Sequence, residues 1–425
     1  MTRRLGAIAL GAIALSALAL GSGCGGDEVE APAYITDLVA NGRSACVIDS
    51  RGRLRCWGAG GNGWLGYGES ENIGDDEDWC EPGFVDIGMS VRSLEVLGGS
   101  KCAISDTGEA RCWGPGAAGF PFSTPEQTAG EGLLIRGPSP LVAIDRGIEH
   151  ACVLLDTGAV RCWGAGAELG YGDSIDRGVG QDPNDILPAL PDVPLGGEAV
   201  HIVAGGTVHG DHTCALLRSG GVRCWGTQTW LGYGTQEAIG DDETPEQVGD
   251  VPLGGAAIAL TASGSNWCAL LEDHSLRCWG KDAATGILGY GDIFGDIEHV
   301  GDDETPMDMG PVPVGEPVQA VFMGGSRTCV LLDGGRARCW GWSHAGELGY
   351  GIQVSTLREP PDEDLEVGGK VVDLAVGFDH TCALLDSGRV RCWGDSRYGQ
   401  LGLGDPTLDP KESIPFEVEL LPECD

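Results

Sequence analysis

The chain has 425 residues and a formal net charge of −38, with 73 glycines, 23 prolines and 17 cysteines. So acidic a surface argues against DNA or RNA as partners, because phosphates would be repelled, and favours a basic or neutral partner. Abundant glycine and proline are typical of short strands and many turns. Seventeen cysteines argue against a reducing compartment and favour disulfides in an exported protein.

Residues 1–23 have the composition of an export signal. Arg3 and Arg4 precede an apolar run over 5–20, and Gly-Ser-Gly leads to Cys24. The pattern resembles a bacterial lipoprotein signal, in which Cys24 would become the lipidated N-terminus. We therefore expect an exported protein of the cell envelope, anchored by lipid in the outer membrane or at the cell surface.

The signal departs from the lipoprotein pattern at Gly21, where that pattern has an apolar residue. Two alternatives stay open: ordinary cleavage with a free Cys24, and an uncleaved apolar anchor. The apolar run is shorter than the roughly 20 residues that a spanning helix needs. Residues 24–34 are predicted to be a polar tether, and residues 35–425 to form a single domain.

Seven copies of one unit follow, spaced about 56 residues apart. Each copy contains two cysteines ten positions apart, and the second stands in Arg-Cys-Trp-Gly. Repetition at a fixed spacing indicates one supersecondary unit used many times. The seven pairs are Cys46/Cys56, Cys102/Cys112, Cys152/Cys162, Cys214/Cys224, Cys268/Cys278, Cys329/Cys339 and Cys382/Cys392.

Each copy predicts a β-hairpin whose two cysteines are opposed. In the seventh copy, a three-residue loop with Gly388 in the left-handed region places Cys382 opposite Cys392. Opposed residues have Cα atoms roughly 4.5–5.5 Å apart, within reach of a disulfide. The fifth copy has His274 at the glycine position, a residue that tolerates this conformation. We expect one disulfide per copy, because a zinc site needs four ligands and the hairpin offers two.

The apolar runs in these hairpins occupy consecutive positions, which predicts strands buried on both faces. Blades of a propeller are buried in this way, between two neighbours. The fold class is therefore all-β, a seven-bladed propeller with four-stranded blades and one disulfide per blade. The segment 414–420 has a strand pattern with no hairpin after it. We expect it to complete the first blade and so close the ring through N- and C-terminal strands.

Three residue types recur in fixed columns, and regularity indicates structure. The tryptophans are expected to pack between blades. The arginines are expected to pair with acids or aromatics, with an anion-binding ring as the alternative. His150, His212 and His380 precede cysteines and are expected to hold hydrogen bonds, with catalysis as the alternative. The tryptophans are Trp57, Trp113, Trp163, Trp225, Trp279, Trp340 and Trp393, and the arginines run from Arg55 to Arg391.

Aromatic residues outside these columns are the candidate binding residues, because loop aromatics are typical anchors. Local packing is the alternative for each. The candidates are Trp64, Trp79, Trp230, Trp267 and Trp342, with Phe120 and Phe122 in the degenerate second copy.

Acidic loops recur at 75–77, 241–243 and 302–304. Their carboxylates suggest weak Ca²⁺ binding, but they lack the ligand spacing of a calcium loop, so solvated acid is favoured. We expect no other cofactor and no catalytic residue. Cys80 and Cys424 remain outside the repeat pairs, and a bond between them stays open.

The seventh copy resembles the repeat of the regulator-of-chromosome-condensation family. The matching residues are Gly377, His380-Thr381, Ala383-Leu384, Gly388, Trp393-Gly394 and the segment from Gly399 to Gly404. The resemblance covers residues 35–420 and implies a seven-bladed propeller with four-stranded blades. The founding eukaryotic members exchange nucleotide on a small GTPase and bind chromatin, and a secreted bacterial relative binds and inhibits β-lactamases. An exported acidic chain would meet neither the GTPase nor chromatin.

The sequence therefore predicts a monomeric, non-enzymatic envelope protein that binds a protein or glycan partner through loops at the rim of the propeller. A glycan-cleaving propeller enzyme and a passive envelope spacer are the alternatives. Guanine-nucleotide exchange is not expected despite the resemblance, because an exported acidic chain would not meet the GTPase and fold alone does not settle function.

Overall fold

The computed structural model of the chain describes residues 33–76, 82–97, 100–114, 127–207, 210–227, 229–282, 285–291, 299–351, 354–404 and 416–418. The predicted signal and nearly all of the tether lie outside these ranges. So do Cys24, Cys80, Cys424, Trp79, Phe120 and Phe122, and the predictions made for them stay predictions.

Seven antiparallel sheets account for the described strands, each formed from consecutive segments of the chain. The first three are β1 (Ile35–Asn41), β2 (Ser44–Asp49) and β3 (Leu54–Gly58); β4 (Val91–Leu97), β5 (Ser100–Ser105), β6 (Ala110–Trp113) and β7 (Leu133–Ile135); β8 (Leu141–Arg146), β9 (His150–Leu155) and β10 (Val160–Gly164). The fourth is β11 (Ala199–Thr207), β12 (Gly210–Leu217) and β13 (Val222–Gly226).

The last three sheets have four strands each. They are β14 (Ala257–Ser263), β15 (Asn266–Leu271), β16 (Leu276–Lys281) and β17 (His299–Val300); β18 (Val318–Gly324), β19 (Arg327–Leu332), β20 (Arg336–Trp342) and β21 (Thr356–Leu357); β22 (Val371–Val376), β23 (His380–Leu385), β24 (Val390–Gly394) and β25 (Phe416–Val418).

The first strands of the sheets lie innermost and contact one another around a ring. β1 contacts β4, and the order continues through β8, β11, β14, β18 and β22 back to β1. The closing contact joins the first sheet to the seventh: Phe378 N–H donates to the Gly42 carbonyl at 2.7 Å, and Trp57 Nε1–H donates to the Gln400 carbonyl at 3.1 Å. The predicted seven-bladed propeller is confirmed.

The hairpin geometry is confirmed in every sheet. Gly388 has φ 83° and His274 has φ 64°, as the loop position requires. In each blade the two cysteines lie directly opposite each other, with Cα atoms 4.0–4.1 Å apart, the close spacing of non-hydrogen-bonded antiparallel pairs. The seven disulfides are Cys46–Cys56, Cys102–Cys112, Cys152–Cys162, Cys214–Cys224, Cys268–Cys278, Cys329–Cys339 and Cys382–Cys392.

Each bridge staples the second strand of a blade to the third, within the buried core. Cys56, Cys224 and Cys278 have no exposed surface, and their partners are at most 1% exposed. The sulfurs therefore contribute to the packing of the blade as well as to its cross-linking.

A tyrosine hydroxyl covers the outer edge of the third strand in five blades. The Tyr171 hydroxyl donates to the Cys162 carbonyl and accepts from the Cys162 N–H, both at 3.0 Å. The hydroxyl thus satisfies the backbone groups that a fourth strand would otherwise pair. The same two bonds join Tyr67 to Cys56, Tyr233 to Cys224 and Tyr290 to Cys278, at 3.0–3.2 Å, and Tyr350 accepts from the Cys339 N–H.

The two blades without this tyrosine have a strand at the same place. The tyrosine belongs to a Leu-Gly-Tyr-Gly motif. The second copy lacks this motif, and there β7 pairs Leu133 with Cys112. The seventh copy has leucine in place of the tyrosine, and there β25 pairs Phe416 with Cys392. Tyrosine and strand are therefore alternative solutions to one requirement, the hydrogen bonding of the cysteine's backbone.

Four strands in every blade proved wrong for three of the sheets, which have three. In these three sheets, the position that β17 takes in the fifth blade is held by an isolated bridge. In the fourth blade, Gly226 and Ile239 exchange N–H to carbonyl bonds at 2.8 and 3.1 Å, and the pairing extends no further. The first and third blades have the same kind of bridge, Gly58–Ile73 and Gly164–Arg177.

The C-terminal strand completes a different blade from the one expected. β25 pairs with β24 through Val390, Arg391 and Cys392, in the seventh sheet. The assignment of 414–420 to the first blade is therefore wrong. The ring closes by packing of the first sheet on the seventh, and every described sheet is built from its own stretch of chain.

Three single-turn helices follow the acidic and polar loops: α1 (Pro183–Ile186), α2 (Pro245–Val248) and α3 (Pro306–Met309). Each begins with proline, after Asp182, Thr244 or Thr305 at the N-cap. Proline is favoured at this position because its fixed φ suits a helix start. Within the described residues, no helix combines the length and apolar character needed to cross a membrane.

Candidate functional site

All blades present the same kinds of loop at one end of their sheets. In the first blade, Ser44 at the start of β2 pairs with Gly58 at the end of β3. The turn between the first two strands and the long loop after the third strand therefore lie side by side. We call this end of the propeller the upper face.

A buried arginine organises the upper face where the sixth and seventh blades meet. Arg327, at the start of β19, is fully buried. Its Nη2 donates to the carbonyls of Gly377 at 2.9 Å and Phe378 at 2.7 Å, and its Nη1 donates to the Trp342 carbonyl at 3.4 Å. One guanidinium thus fixes the backbones that carry two exposed aromatics, Phe378 (56% exposed) and Trp342 (39% exposed).

A cleft of about 290 Å³ opens beside Phe378, where the seventh, first and second blades meet. Phe378, Trp64 and Val96 supply its apolar surface. Arg43 lines it too, and Arg43 Nε donates to Asp379 Oδ2 at 2.9 Å, a bond that raises the pKa of Arg43. The upper face therefore combines aromatic surface, basic groups and a concave site in one continuous stretch.

Lys101 forms the inner end of this cleft. It lies on β5, almost fully buried, and its Nζ donates to Ser44 Oγ at 3.0 Å and to the Trp64 carbonyl at 2.9 Å. Thr328 and Thr381 occupy the same column in later blades and donate to the carbonyls of Ile287 and Glu347. Lys101 therefore replaces a threonine in the contact between blades.

The charge of Lys101 is poorly compensated, because its two acceptors are neutral. Burial lowers the pKa of Lys101 to about 7, against an ordinary value of 10.5. Near neutral pH the amine is consequently divided between charged and uncharged forms, and an anionic group in the cleft would favour the charged form.

The candidate aromatics have different fates. Trp267 lies on β15 with no exposed surface, its ring 4.2 Å from His212 and 6.0 Å from Trp279, so its assignment as a binding aromatic is wrong. Trp230 is also buried, against His299 at 4.5 Å, and the same correction applies. Both rings fill space in the core. The sequence does not reveal this, because neither tryptophan recurs at the same position in every copy.

Trp64 and Trp342 remain candidates. Trp64 is half-buried in the wall of the cleft, and Trp342 is exposed beside His344, with ring centroids 5.9 Å apart. Phe378 joins them although the sequence analysis did not select it. The sequence did contain a signal for Phe378. It is a large aromatic residue in the turn between β22 and β23, within a segment that otherwise matches the repeat.

The disulfide cysteines belong to the core and not to a binding or reactive surface. Cys56, Cys224 and Cys278, like the other second cysteines, stand in the middle of a third strand with neighbouring blades on either side. Neither a partner nor a thiol reductant reaches these sulfurs while the blade is folded. Their role is structural, and they contribute nothing directly to the upper face.

The regular tryptophans and arginines serve the fold. All seven tryptophans are buried, and Trp393 Nε1–H donates to the Glu347 carbonyl of the preceding blade at 2.9 Å. Three of the seven column arginines are paired with acids, and Arg55 donates to the Gly83 carbonyl and lies over the Phe84 ring, which disfavours a ring of arginines open to anions. Arg161, Arg223 and Arg338 pair with Asp192, Asp250 and Asp364 of their own blades at 2.6–2.9 Å.

The repeated histidines are buried at the joints between blades. Burial lowers the pKa values of His212 and His380 to about 3, so both are neutral at physiological pH. His150 differs, because its Nδ1 lies 3.2 Å from Asp211 Oδ2 and its Nε2 lies 2.6 Å from Thr213 Oγ1. The order Thr-His-Asp resembles a nucleophile relay, but Thr213 is fully buried and presents no hydroxyl to a substrate.

An ionisable carboxyl also lies in the innermost strands. Burial raises the pKa of Asp145 to about 7, with a further contribution from the charge of Glu95. Its two oxygens accept backbone N–H bonds from Arg146 at 2.8 Å and Ala204 at 2.9 Å. The carboxyl is therefore bound by the backbone of two blades, an arrangement that suits a structural joint better than a general acid.

The acidic loops gather carboxylates at the surface. Burial and the neighbouring acids raise the pKa of Glu243 to about 7 and that of Glu304 to about 8. Protonation of these glutamates therefore relieves the repulsion between neighbouring carboxylates. Weak Ca²⁺ binding by the acidic loops stays a prediction. Asp241, Asp242 and Glu243 form one group and Asp302, Asp303 and Glu304 another, with ligand atoms within 4.8 Å in each.

The fold and its disulfides define the class of protein: a closed seven-bladed propeller with one cystine in each blade. Residues 318–347 and 371–400 match the family model for the regulator of chromosome condensation (RCC1) repeat. Among solved structures, yeast RCC1 (Prp20) bound to Kap60 aligns with a TM-score of 0.64 at 19% identity, covering 91% of this chain and 85% of that one. Human WBSCR16 aligns with a TM-score of 0.60 at 19% identity, covering 79% and 83%.

Two plant proteins are similar to part of the chain. The mitochondrial RCC1 domain-containing protein RUG3 of Arabidopsis thaliana is 31% identical over 257 residues, 59% of this chain and 54% of that protein. The ultraviolet-B receptor UVR8 of the same plant is 30% identical over 260 residues, covering 60% and 52%. The chain thus spans about half the length of these relatives. Two stretches of the chain therefore match the RCC1 repeat, and the solved structures share its propeller fold.

Proposed function

We propose that this chain is a non-enzymatic binding protein of the cell envelope that holds a protein partner on its upper face. The observation that carries the proposal is Arg327, whose guanidinium fixes the backbones of Trp342 and Phe378 so that both aromatics stay exposed. Exposed large aromatics held on a rigid scaffold bind at a low cost in conformational entropy, which is why they serve as anchors at interfaces.

The chemistry of the cleft favours a protein segment with an acidic side chain. Arg43 and Lys101 bring basic groups into a chain whose net charge is −38, and apolar walls surround them. An acidic residue flanked by apolar ones, on a partner that is neutral or basic overall, would match this distribution of charge and surface. A glycan would stack on the aromatics but would leave the buried amine of Lys101 without an anion.

Two solved structures of similar propellers concern protein partners. Yeast RCC1 (Prp20) is described in complex with Kap60, and Prp20p is described with binding to Gsp1p and histones. The envelope location rests on the predicted signal at 1–23 and on seven buried disulfides, which are stable outside reducing compartments. The lipid anchor at Cys24 and the monomeric state belong to the same proposal.

A capture experiment with matched variants tests the proposal. The soluble fragment 27–425 carries a photo-crosslinking residue at position 378 or, as the control, at Tyr34, an aromatic 65% exposed at the other end of the first sheet. We expect one envelope protein to crosslink at 378 and to lose affinity at least tenfold with Phe378→Ala and Trp342→Ala, but not with Tyr34→Ala.

Three outcomes would contradict the proposal. Equal loss in the Tyr34→Ala variant would place binding elsewhere, and release of the captured material by glycosidases would identify a glycan. Recovery of no partner under any condition would favour the spacer alternative.

A further inference from the structure

We infer that the joint between the third and fourth blades is a binding site for one divalent transition-metal ion, Zn²⁺ or an ion of similar preference. The ligands are His150 from β9, Glu168 from the loop after β10, and Asp211 from β12. Their ligand atoms lie within 4.8 Å of one another, and all three residues are buried. The site is independent of the upper-face cleft and of the proposed partner.

The spacing of the ligand atoms suits a small ion. His150 Nδ1 lies 3.2 Å from Asp211 Oδ2 and 4.0 Å from Glu168 Oε2. Tetrahedral coordination with metal–nitrogen and metal–oxygen bonds of about 2.0–2.2 Å places neighbouring ligand atoms about 3.3 Å apart. Binding an ion would therefore draw the Glu168 oxygen inward from its present 4.0 Å.

Glu168 supplies a second observation. Only 8% of its surface is exposed, and its Oε2 has no hydrogen-bond partner among the described residues. The other oxygen, Oε1, accepts from Thr227 Oγ1 at 3.2 Å, which orients the carboxylate. A buried carboxylate oxygen without a donor is costly unless a cation meets it.

The hydrogen bonds around His150 prepare its Nδ1 as a ligand. If Nε2–H donates to Thr213 Oγ1, 2.6 Å away, Nδ1 carries the lone pair and can bind an ion held between the two carboxylates; without the ion, Nδ1–H can donate to Asp211 Oδ2 at 3.2 Å. Asp211 is oriented by the backbone N–H of Glu149, which donates to Oδ2 at 2.5 Å. Second-shell bonds of this kind fix the tautomer and ring orientation of metal-binding histidines.

The repeat itself shows what this joint lacks. At the joint between the sixth and seventh blades, the corresponding residues are Arg327, Glu347 and Asp379, and both carboxylates act electrostatically on the buried guanidinium. There the acid pair has a permanent cation at the position of His150. At the joint between the third and fourth blades, the corresponding acid pair faces an imidazole. The charge of the nearby Arg146 interacts with Asp145 as well as with Asp211. A bound cation would replace the missing charge.

The donor set selects the kind of ion. One imidazole nitrogen with two carboxylates suits Zn²⁺, Mn²⁺ or Fe²⁺, whereas Ca²⁺ takes six to eight oxygen ligands and avoids nitrogen. The exposed acidic loop at 302–304 offers only oxygens. It therefore serves as a matched control for nonspecific binding of cations to acid.

The test is a titration of the full chain, stripped of metal and alkylated with iodoacetamide so that cysteines outside the disulfides cannot contribute. We expect one Zn²⁺ per chain by calorimetry, with a rise in melting temperature. Glu168→Gln and His150→Arg, which introduces the residue of the sixth blade, are each expected to weaken binding at least tenfold. Asp303→Asn is expected to bind as the unmodified chain does.

Cobalt supplies a readout that does not depend on the folding of the variants. Co²⁺ bound at one nitrogen and two carboxylates gives visible ligand-field bands without sulfur charge transfer, and we expect these bands to saturate at one equivalent and to disappear on adding Zn²⁺. The inference is overturned if the unmodified chain binds no Zn²⁺ and gives no such bands. It is also overturned if Glu168→Gln and His150→Arg, both folded by circular dichroism, bind as tightly as Asp303→Asn.

Discussion

Single residues that depart from their column carry much of the chemistry of this propeller. Lys101 stands where three later blades have threonine, and Arg327 and His150 occupy one column at two joints. Each replacement keeps a contact between blades while adding charge or a metal-ligand atom. Such residues can be recognised in the sequence only after the repeat has been aligned, because the repeat defines what is ordinary at each position.

The titration of Lys101 gives a prediction about pH. The folded pKa is about 7 and the unfolded value is 10.5, so below pH 7 both states are charged and burial is fully unfavourable. As the pH rises above 7 the folded protein loses this proton before the unfolded chain does, and stability rises. Between pH 6 and pH 9, the unmodified chain should therefore gain about 1–3 kcal/mol relative to Lys101→Met.

Urea unfolding of both proteins at the two pH values measures this gain, and other titrating groups cancel in the difference. A difference in free energy that does not change with pH would show that the amine carries no charge penalty in the folded state.

At the scale of the element, the hairpin and its disulfide could be predicted from the sequence, but the outer edge of the blade could not. The hairpin follows from local information: the ten-residue spacing, the left-handed loop position and the apolar run. The outer edge depends on the Tyr171 hydroxyl reaching the backbone of Cys162 across a nine-residue separation, and on whether a bridge such as Gly226–Ile239 extends into a ladder. The sequence shows a tyrosine recurring in Leu-Gly-Tyr-Gly, and nothing in its spacing reveals a backbone partner.

The tyrosine hydroxyl is expected to stabilise its blade. Tyr171→Phe removes the bonds to Cys162 and leaves a buried N–H and carbonyl without partners, which should lower the free energy of unfolding by about 1–3 kcal/mol. Tyr34→Phe, at an exposed position, is the matched control and should leave stability unchanged within about 0.5 kcal/mol. Equal denaturation midpoints for the two variants would contradict this role.

The disulfides are expected to act through the unfolded chain. Replacing Cys152 and Cys162 together by alanine removes a cross-link that closes a loop of about ten residues, a change worth about 2–3 kcal/mol in the chain-entropy model. Denaturant unfolding without reductant measures it. Because the bridge is buried, mass spectrometry after native iodoacetamide treatment should find these two cysteines unlabelled in the unmodified chain. Labelling of either one would show that the blade is not stapled.

At the scale of the whole molecule, the sequence predicts that the ring closes but not which residues close it. The number of repeats predicts a closed circle of seven blades, and the structure confirms it. The sequence predicts the wrong segment for the closing contact, because a strand pattern at the end of the chain with no hairpin after it suggests a partner in the first blade. The Arg43–Asp379 ion pair and the bond from Trp57 to Gln400 perform that closure, between residues more than 330 positions apart.

Two deletions distinguish closure of the ring from completion of a blade. Removing 405–425 takes away β25 and exposes the outer edge of β24, while the Cys382–Cys392 disulfide and the packing of β1 on β22 stay in place. We expect that protein to unfold cooperatively, with a lower melting temperature. Removing 371–425 takes away the whole seventh blade and leaves the first and sixth with apolar faces open to water.

Exposed faces of that size cause association, and each blade would lose one of its two neighbours at the break. We therefore expect the 371–425 deletion to aggregate and to lose its sharp thermal transition in differential scanning calorimetry, whereas the 405–425 deletion remains soluble. If the two deletions behave alike, the C-terminal strand would be needed for closure after all. If the larger deletion still melts sharply as a monomer, the blades would not depend on a closed ring.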